Sequence, residues 1–198
     1  MIETGRKSAA IAYYAASLAS AEKDLRAKTS AADVVSRLKK REKHYKLLGE
    51  TAPELPIADQ WFPGSTKTLS AYRGRVVLLD FWATWCMPCF EAFPSLIEWH
   101  QDFNREGFEI LGVTRYYGTV NGLPADTISE TADLKRFRER ERLPYDFVVM
   151  KDQSAQMLYG ATALPTAVLI DRKGVIRYIE AGTSSARIGQ MREMLIKL

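Results

Sequence analysis

The stretch DFWATWCMPC, residues 80–89, contains both cysteines of a chain of 198 residues. Cys86 and Cys89 follow a continuous apolar run, RVVLLDFW, which spans residues 75–82. Such a run is typical of a strand that is buried on both faces of a sheet. The segment PCFEAFPSLIEWHQDFNREG predicts a helix that extends to Glu106 and is closed by a glycine. The two cysteines are therefore expected at a junction between a buried strand and a helix.

This position of the cysteine pair favours redox chemistry. Cys86 is predicted at the helix N-terminus, where free N–H groups and the helix dipole stabilise a thiolate. Pro88 suits the first helical turn, because its missing N–H is not needed there. Cys89 is close enough along the helix to form a disulfide with Cys86 and to release it by thiol exchange. We expect Cys86 to be the accessible thiol and Cys89 the buried one. Two incidental buried thiols are the alternative interpretation of a lone C-x-x-C.

The composition limits the other classes of function. Hydrophobic residues make up 46% of the chain and charged residues 26%, which is ordinary for a globular protein. No apolar run reaches the roughly 18 residues that a membrane-spanning helix needs. Two cysteines are too few for a disulfide framework or a cysteine-built zinc site, and the histidines are His44 and His100 alone. The absence of further cysteines is favoured in an oxidising compartment, where a stray thiol would mispair.

Residues 1–50 differ in charge from the rest of the chain. They carry 11 Lys/Arg against 6 Asp/Glu, a net charge of +5, whereas residues 51–198 carry 17 against 18. We interpret this excess as a solvated helix face, so no nucleic-acid partner is expected. A nucleic-acid or membrane contact is the less favoured alternative.

Two helices are predicted in this N-terminal segment. Residues 5–28 are rich in alanine and lack proline, and a second helix is expected over residues 31–48, with Ser30 as its N-cap and Asp33 near the capping-box position. Together they predict a helical hairpin over residues 1–50 that is dispensable for the chemistry.

The beginning of the chain has a second interpretation, because Arg6 and Lys7, an apolar stretch and the small residues 19–21 imitate a secretory signal. The segment TAPELPIADQWFPGS, residues 51–65, is rich in proline and turn residues and predicts the boundary with a second domain over residues 51–198.

Beyond the boundary, strands and helices alternate. Further strands are predicted at residues 108–114 and 146–150, followed by a hairpin over residues 166–180 that turns at DRKG. Helices are predicted at residues 129–142 with Ser129 as the N-cap, at 154–160 and at 184–198. The alternation predicts an α/β fold with a central mixed sheet flanked by helices and preceded by the N-terminal helical segment.

From about Pro53 to the end, the chain resembles the thioredoxin superfamily, and within it the TlpA/ResA-like extracytoplasmic thiol–disulfide oxidoreductases. LSAYRGRVVLLDFWATWCMPC resembles the family's approach to its active site, and ALPTAVLIDRKGVI resembles its later signature. Pro94 stands five residues after Cys89, where thioredoxins kink the active-site helix. The resemblance implies a thioredoxin-like domain and leaves residues 1–50 outside it.

The resemblance also implies roles for single residues. Pro165 would be the cis-proline that faces the disulfide, and the backbone of Leu164 would pair with an incoming peptide strand. Trp85 occupies the position of the tryptophan that shields the first cysteine, and Met87 lies between the two cysteines. Trp85, Leu164 and Met87 are therefore the expected substrate-binding residues. A trans proline that opens a strand is the alternative for Pro165.

The chain departs from its TlpA/ResA-like relatives at two positions. Asp80 stands six residues before Cys86, where those relatives commonly carry Asn. Ala92 stands three residues after Cys89, where they commonly carry Glu, and Glu91 lies one residue earlier, about 100° away around the helix. We infer that the acid that handles protons has moved from the helix to the strand, where burial would raise the pKa of Asp80. A purely structural hydrogen bond from Asp80 to the backbone is the alternative.

The function that follows is a thiol–disulfide oxidoreductase that acts on protein disulfides or dithiols. The thiolate of Cys86 would attack a substrate disulfide and Cys89 would resolve the mixed disulfide, without an organic cofactor or a metal. An upstream thiol reductant or oxidant is the other expected partner. The resemblance favours an extracytoplasmic, periplasmic or cell-envelope location, with membrane association only if an anchor precedes this chain.

Two alternative functions and one further pair of residues stay open at this point. A peroxiredoxin-like peroxidase shares the fold but carries Thr three residues before its cysteine, where this chain has Ala83. A copper carrier of the Sco type, or an adaptor that holds substrate, would require C-x-x-x-C and a later His.

Tyr116 and Tyr117 follow the second buried strand and form either a specificity loop over Cys86 or surface packing.

Overall fold

The computed structural model describes residues 7–24, 31–64 and 66–198. The main sheet has the strand order β1-β6-β3-β2-β7-β8, and β4 and β5 form a separate small hairpin. The strands are β1 (Gln60–Phe62), β2 (Val76–Phe81), β3 (Phe108–Arg115), β4 (Thr119–Val120), β5 (Leu123–Pro124), β6 (Asp146–Met150), β7 (Thr166–Ile170) and β8 (Ile176–Ala181). The helices are α1 (Lys7–Asp24), α2 (Ala31–Leu47), α3 (Met87–Phe103), α4 (Thr127–Glu141), α5 (Ser154–Tyr159) and α6 (Ser185–Ile196), with 3-10 turns at Leu69–Tyr72 and Asn104–Glu106.

Strand β2 lies at the centre of the main sheet, and all six of its residues are buried. It runs parallel to β3 and antiparallel to β7, so the sheet is mixed. Because side chains alternate along a strand, Val76 and Leu78 enter the core under α3, α4 and α6, and Val77 and Leu79 enter the core on the α5 face. The mixed sheet covered by helices on both faces confirms the predicted fold class.

The charged helix α4 begins earlier than the sequence predicted. Its N-cap is Asp126, whose backbone is extended and whose carboxylate accepts a hydrogen bond from the N–H of Ser129 at 2.8 Å. The assignment of Ser129 as the cap was therefore wrong, because Ser129 lies inside the first turn and supplies the capped N–H. The helix ends at Glu141, and Arg142 adopts a left-handed conformation.

The segment 51–65 contributes to the sheet, which the sequence did not predict. Strand β1 within it pairs antiparallel with β6, and Phe62 stacks on Phe147 with ring centroids 4.9 Å apart. The Phe62–Pro63 bond is cis. A strand of three residues is too short to show a periodic pattern, and its position depends on pairing with a strand more than 80 residues later.

The N-terminal helices pack against each other and against the rest of the chain. The rings of Tyr14 on α1 and Tyr45 on α2 lie 4.8 Å apart. His44 of α2 is buried, and its Nε2 lies 2.8 Å from the carbonyl oxygen of Gly160. After α2 the backbone of residues 49–50 exchanges two hydrogen bonds with Ile176 of β8. Helix α2 is therefore docked on the α5 face of the sheet.

Some expectations for the N-terminal segment cannot be compared with the structure. The Ser30 cap and the connection at residues 28–29 lie outside the described residues, as does the Asp33 side chain.

Candidate active site

The two cysteines form a disulfide at the start of α3. Cys86 is the N-cap residue of the helix, and its Cα lies 5.3 Å from that of Cys89. The turn is closed by backbone hydrogen bonds from Cys86 to Ala83 at 3.1 Å and from Cys89 to Cys86 at 2.9 Å. The pair therefore lies at the predicted junction, where β2 ends and the free N–H groups of α3 begin.

The two cysteines are equally shielded from solvent in this oxidised state. Cys86 exposes 3% of its surface and Cys89 exposes 1%. The prediction that Cys86 is the accessible thiol concerns the reduced protein, and it stays a prediction because both cysteines are joined in the disulfide here. Trp85 and Met87 expose 56% and 69% of their surfaces, and Pro88 is exposed as well.

Trp85 is supported by a neighbouring aromatic ring. Its indole meets the ring of Tyr117 edge to face, with centroids 5.2 Å apart. The guanidinium of Arg115 lies over the Tyr117 ring at 4.0 Å, and the side-chain amide of Gln156 donates a hydrogen bond to the Tyr117 hydroxyl at 3.1 Å. Gln156 also accepts a hydrogen bond from Arg115 at 2.9 Å. Arg115 and Gln156 therefore fix the ring of Tyr117, and Tyr117 in turn supports the exposed indole of Trp85.

The two tyrosines after β3 have different roles. Tyr117 contacts Trp85, whereas Tyr116 turns inward and donates a hydrogen bond to Asp59 at 2.9 Å. The buried carboxylate of Glu130 accepts the N–H groups of Tyr117 and Gly118 at 2.7 and 2.8 Å, which fixes the chain at this point. Sequence reasoning did not find Glu130, because it lies 12 residues further along the chain, in a charged helix with no motif.

Pro165 lies at the strand end next to the disulfide. The Leu164–Pro165 bond is cis, as the sequence predicted. Thr166 pairs with Phe81, so Pro165 sits beside the end of β2 that continues to the cysteines. Leu164 is half-buried and packs against both hydrophobic cores.

Asp80 lies at the centre of the sheet below this end. Only 3% of its surface is exposed, and its Oδ2 has no hydrogen-bond partner among the described residues. Burial raises the pKa of Asp80 to about 7. Burial therefore brings the ionisation of this carboxyl group from the acidic range towards neutral pH.

A cavity of about 20 Å³ adjoins Asp80, which is room for about one water molecule. Ala92 of α3 lines this cavity, while Glu91 one residue earlier is exposed. Both observations agree with the positions inferred from the helix repeat. The remaining lining residues come from α3, from α6, and from β7, β8 and the residues that adjoin these two strands: Leu96, Pro165, Ala167, Glu180, Gly182, Thr183, Arg187, Ile188 and Met191.

His100 takes no part in this arrangement. It is half-buried on α3, with its Nε2 4.0 Å from a carboxylate oxygen of Glu109 and its ring 6.0 Å from that of Tyr145. Burial lowers its pKa. It is a packing residue on α3.

A disulfide at the first turn of a helix, a cis-proline at the neighbouring strand end and a buried acid beneath them define a thioredoxin-like redox protein. The family model described as the AhpC/TSA family matches residues 48–179. The chain belongs to this family.

Similar proteins indicate which redox activity the chain has. The thiol-disulfide oxidoreductase ResA of Geobacillus thermodenitrificans is 32% identical over 136 residues, which cover 69% of this chain and 70% of the relative. ResA of Geobacillus kaustophilus is 33% identical with the same coverage. The crystal structure of a putative thiol:disulfide interchange protein DsbE from Chlorobium tepidum has a TM-score of 0.60 and 28% identity over 76% of this chain and 96% of that one. The chain is therefore a thiol–disulfide oxidoreductase, with Cys86 and Cys89 as its redox pair.

Proposed function

We propose that Cys86 is the attacking thiol and Cys89 the resolving thiol in exchange with protein disulfides. The Cys86 thiolate attacks a substrate disulfide, and one substrate thiol leaves. Cys89 then loses its proton and attacks the Cys86 sulfur, so that the second substrate thiolate leaves and the Cys86–Cys89 bond forms. The substrate gains two electrons and the protein loses two. The observation that carries this order is the N-cap position of Cys86, where the helix dipole stabilises a thiolate.

Asp80 is the proposed acceptor of the Cys89 proton. It is the acid beneath the redox pair, on the strand that leads into it, and one of its oxygens lacks a hydrogen-bond partner among the described residues. A carboxyl group with a pKa of about 7 can take a proton at neutral pH and release it again. Ala92 leaves the usual helix position without an acid.

The proposed substrate surface surrounds the disulfide. The Leu164 backbone lies just before β7, and we propose that it pairs with an extended peptide of the substrate. Trp85 and Met87 offer exposed apolar surface beside it, and Tyr117 keeps the indole in place. This arrangement supports recognition of an unfolded or extended segment around the substrate cysteine.

The partners are protein thiols and disulfides, together with a thiol reductant or oxidant that resets the pair. The resemblance to extracytoplasmic thiol–disulfide oxidoreductases and the presence of only two cysteines, both in the redox pair, support an extracytoplasmic, cell-envelope location. None of the helices in residues 7–24, 31–64 and 66–198 combines the length and apolar content needed to span a bilayer.

Trapping of mixed disulfides tests the two cysteine roles. The Cys89→Ala variant, mixed with a peptide disulfide, should accumulate a covalent complex through Cys86, because the resolving thiol is gone. The matched Cys86→Ala variant should accumulate little complex at neutral pH. Mass spectrometry of the quenched mixtures measures both. Preferential trapping by Cys86→Ala would reverse the roles, and rapid peroxide turnover by the reduced wild type would favour the peroxidase alternative.

We also propose that residues 1–50 form a helical unit attached to a thioredoxin-like domain over residues 51–198. A chain starting at Thr51 should retain thiol exchange, because the redox pair and the residues that line the cavity all lie beyond that point. Such a chain lacks Arg41, which pairs with Glu180 beside the cavity. It should unfold at lower denaturant, because the buried His44 contact and the hydrogen bonds to Ile176 are lost. Loss of the folded state would show that the two units are one.

A further inference from the structure

Asp80 and Glu180 occupy one row across three strands of the sheet. Asp80 of β2 pairs directly with Ala167 of β7, and Ala167 pairs directly with Glu180 of β8. Residues paired in this way project from the same face of a sheet, and two strand spacings separate the outer Cα atoms by about 10 Å. The small side chain of Ala167 therefore leaves a space between Asp80 and Glu180 on this face of the sheet.

The cavity beside Asp80 occupies this space. Asp80, Ala167 and Glu180 all line it. Thr183 also lines it, and the Thr183 hydroxyl has no hydrogen-bond partner among the described residues. Charges interact more strongly across the low-dielectric walls of such a cavity than they do in water.

Two arginines hold Glu180 on its outer side. Its Oε1 lies 3.0 Å from a guanidinium nitrogen of Arg41 and 3.4 Å from one of Arg187. Arg187 belongs to α6, which covers the cavity. Arg41 belongs to α2, which docks on the opposite face and reaches Glu180 around the edge strand β8. The N-terminal segment thus contacts Glu180, a residue that lines the cavity beside Asp80.

We propose that Glu180 is a positioning residue that raises the proton affinity of Asp80 across the cavity, and that Arg41 moderates this effect from the N-terminal helix. A negative charge disfavours a second one nearby, and a cation paired with Glu180 weakens that repulsion. The consequence for catalysis rests on the proposed function, in which Asp80 takes the proton of Cys89. Through the ion pair between Arg41 and Glu180, the N-terminal segment would then influence the pH range in which Cys86 and Cys89 react.

The other groups that surround Asp80 do not change their charge when Glu180 or Arg41 is substituted. Helix α3 contributes Cys89 in the disulfide and the apolar residues Ala92 and Leu96, and α6 contributes Arg187. The phenol of Tyr145, which precedes β6, also interacts electrostatically with Asp80, and burial raises the pKa of Tyr145 far enough to keep it neutral.

The titration of the Asp80 carboxyl carbon by NMR, in the oxidised full chain, tests the proposal. Glu180→Gln should lower the pKa of Asp80 by roughly half to one pH unit, since a nearby negative charge is gone. Arg41→Gln should raise it by about a few tenths of a unit, and Arg41→Lys should restore the wild-type value. The control is Lys39→Gln, which removes another α2 cation, paired with Glu22 at 2.6 Å, and should leave the titration unchanged.

Shifts of the Asp80 pKa in opposite directions in Glu180→Gln and Arg41→Gln support the proposal. A loss of packing alone would not make the direction of the pKa shift depend on the sign of the charge that was removed. Shifts in the same direction, or no shift in Glu180→Gln, overturn it. If Glu180→Gln fails to fold, the difference between Arg41→Gln and Arg41→Lys decides. If the opposite shifts occur but Asp80→Asn resolves mixed disulfides at the wild-type rate, the coupling stands and the proposed role of Asp80 falls.

Discussion

Two buried aspartates of this sheet have opposite surroundings. Asp171 opens the turn between β7 and β8, and 8% of its surface is exposed. Its carboxylate accepts hydrogen bonds from the N–H groups of Lys173 and Val175, both at 2.9 Å, and from Arg177 at 2.7 Å. Asp80 is still more buried, yet one of its oxygens has no partner among the described residues.

The difference shows that partners decide the protonation of a buried carboxyl group. Burial acts against ionisation at both positions. At Asp171 the hydrogen bonds from the backbone and Arg177 outweigh it, so the pKa falls below its usual value. At Asp80 burial is the dominant influence, and it raises the pKa to about 7. Asp171 therefore stabilises the hairpin as an anion, while Asp80 destabilises the fold whenever it is ionised.

The largest expected effect is on the pH dependence of stability at Asp80. The folded pKa of about 7 exceeds the unfolded value of 3.8, so wild-type stability should fall as pH rises between them and then level off. Asp80→Asn removes this ionisation. Relative to wild type it should gain a few kcal/mol from acid to neutral pH, at about 1.4 kcal/mol per unit of pKa difference. Urea unfolding of the oxidised proteins measures the gain, and a pH-independent difference would contradict it.

The next effect is on the resolving step. Asp80→Asn should slow the release of substrate from the mixed disulfide by about 100-fold at neutral pH, because Cys89 loses its proton acceptor. Adding Ala92→Glu should recover part of the rate, since residue 92 lines the same cavity. Stopped-flow measurement of the single-turnover reaction follows both. An unchanged rate in Asp80→Asn would leave Asp80 without a catalytic role.

A smaller effect is expected at Asp171, with the opposite pH dependence. Asp171→Asn should cost about 1–3 kcal/mol at neutral pH, because charge-assisted hydrogen bonds are lost. The wild-type advantage is present above the unfolded pKa of 3.8 and disappears as pH falls through the lower folded pKa. Urea unfolding against pH measures this. Thiol exchange should be unaffected, and a slowed exchange in the folded variant would remove the distinction between the two aspartates.

The smallest effect is expected at Glu91. Glu91→Gln removes a carboxylate one residue from Ala92, but this side chain is exposed and does not line the cavity. Stability should change by less than about 0.5 kcal/mol, as for other surface substitutions. The rate of mixed-disulfide resolution should stay within about two-fold of wild type, because Glu91 does not reach the proton. A slowdown comparable to that of Asp80→Asn would place the relevant acid on the helix after all.

Local features of the chain predicted the redox pair and its immediate setting. The apolar run before Cys86, the proline at Pro88 and the helical pattern after it define a strand–helix junction by contacts between near neighbours. The same holds for the hairpin that turns at DRKG, where Asp171 accepts hydrogen bonds from residues two and four positions later. The cis bond before Pro165 followed from a resemblance to known sequences.

The surroundings of the pair could not be predicted in this way. Nothing local indicates that Gln156 holds Tyr117, or that three residues near Trp61 add an edge strand to the sheet. The cap of α4 was misplaced because Asp126 and Ser129 are both good cap residues, and only the backbone conformation selects between them.

The amino-acid sequence by itself determined the fold class, the redox pair and the presence of an acid in an apolar strand. The tertiary structure decided which groups that acid faces. Asp80, Ala167 and Glu180 align only because β2, β7 and β8 pair in one register, and a slip of one residue would turn a side chain to the other face. Register and the docking of Arg41 depend on contacts between residues up to 139 positions apart, which no local pattern encodes.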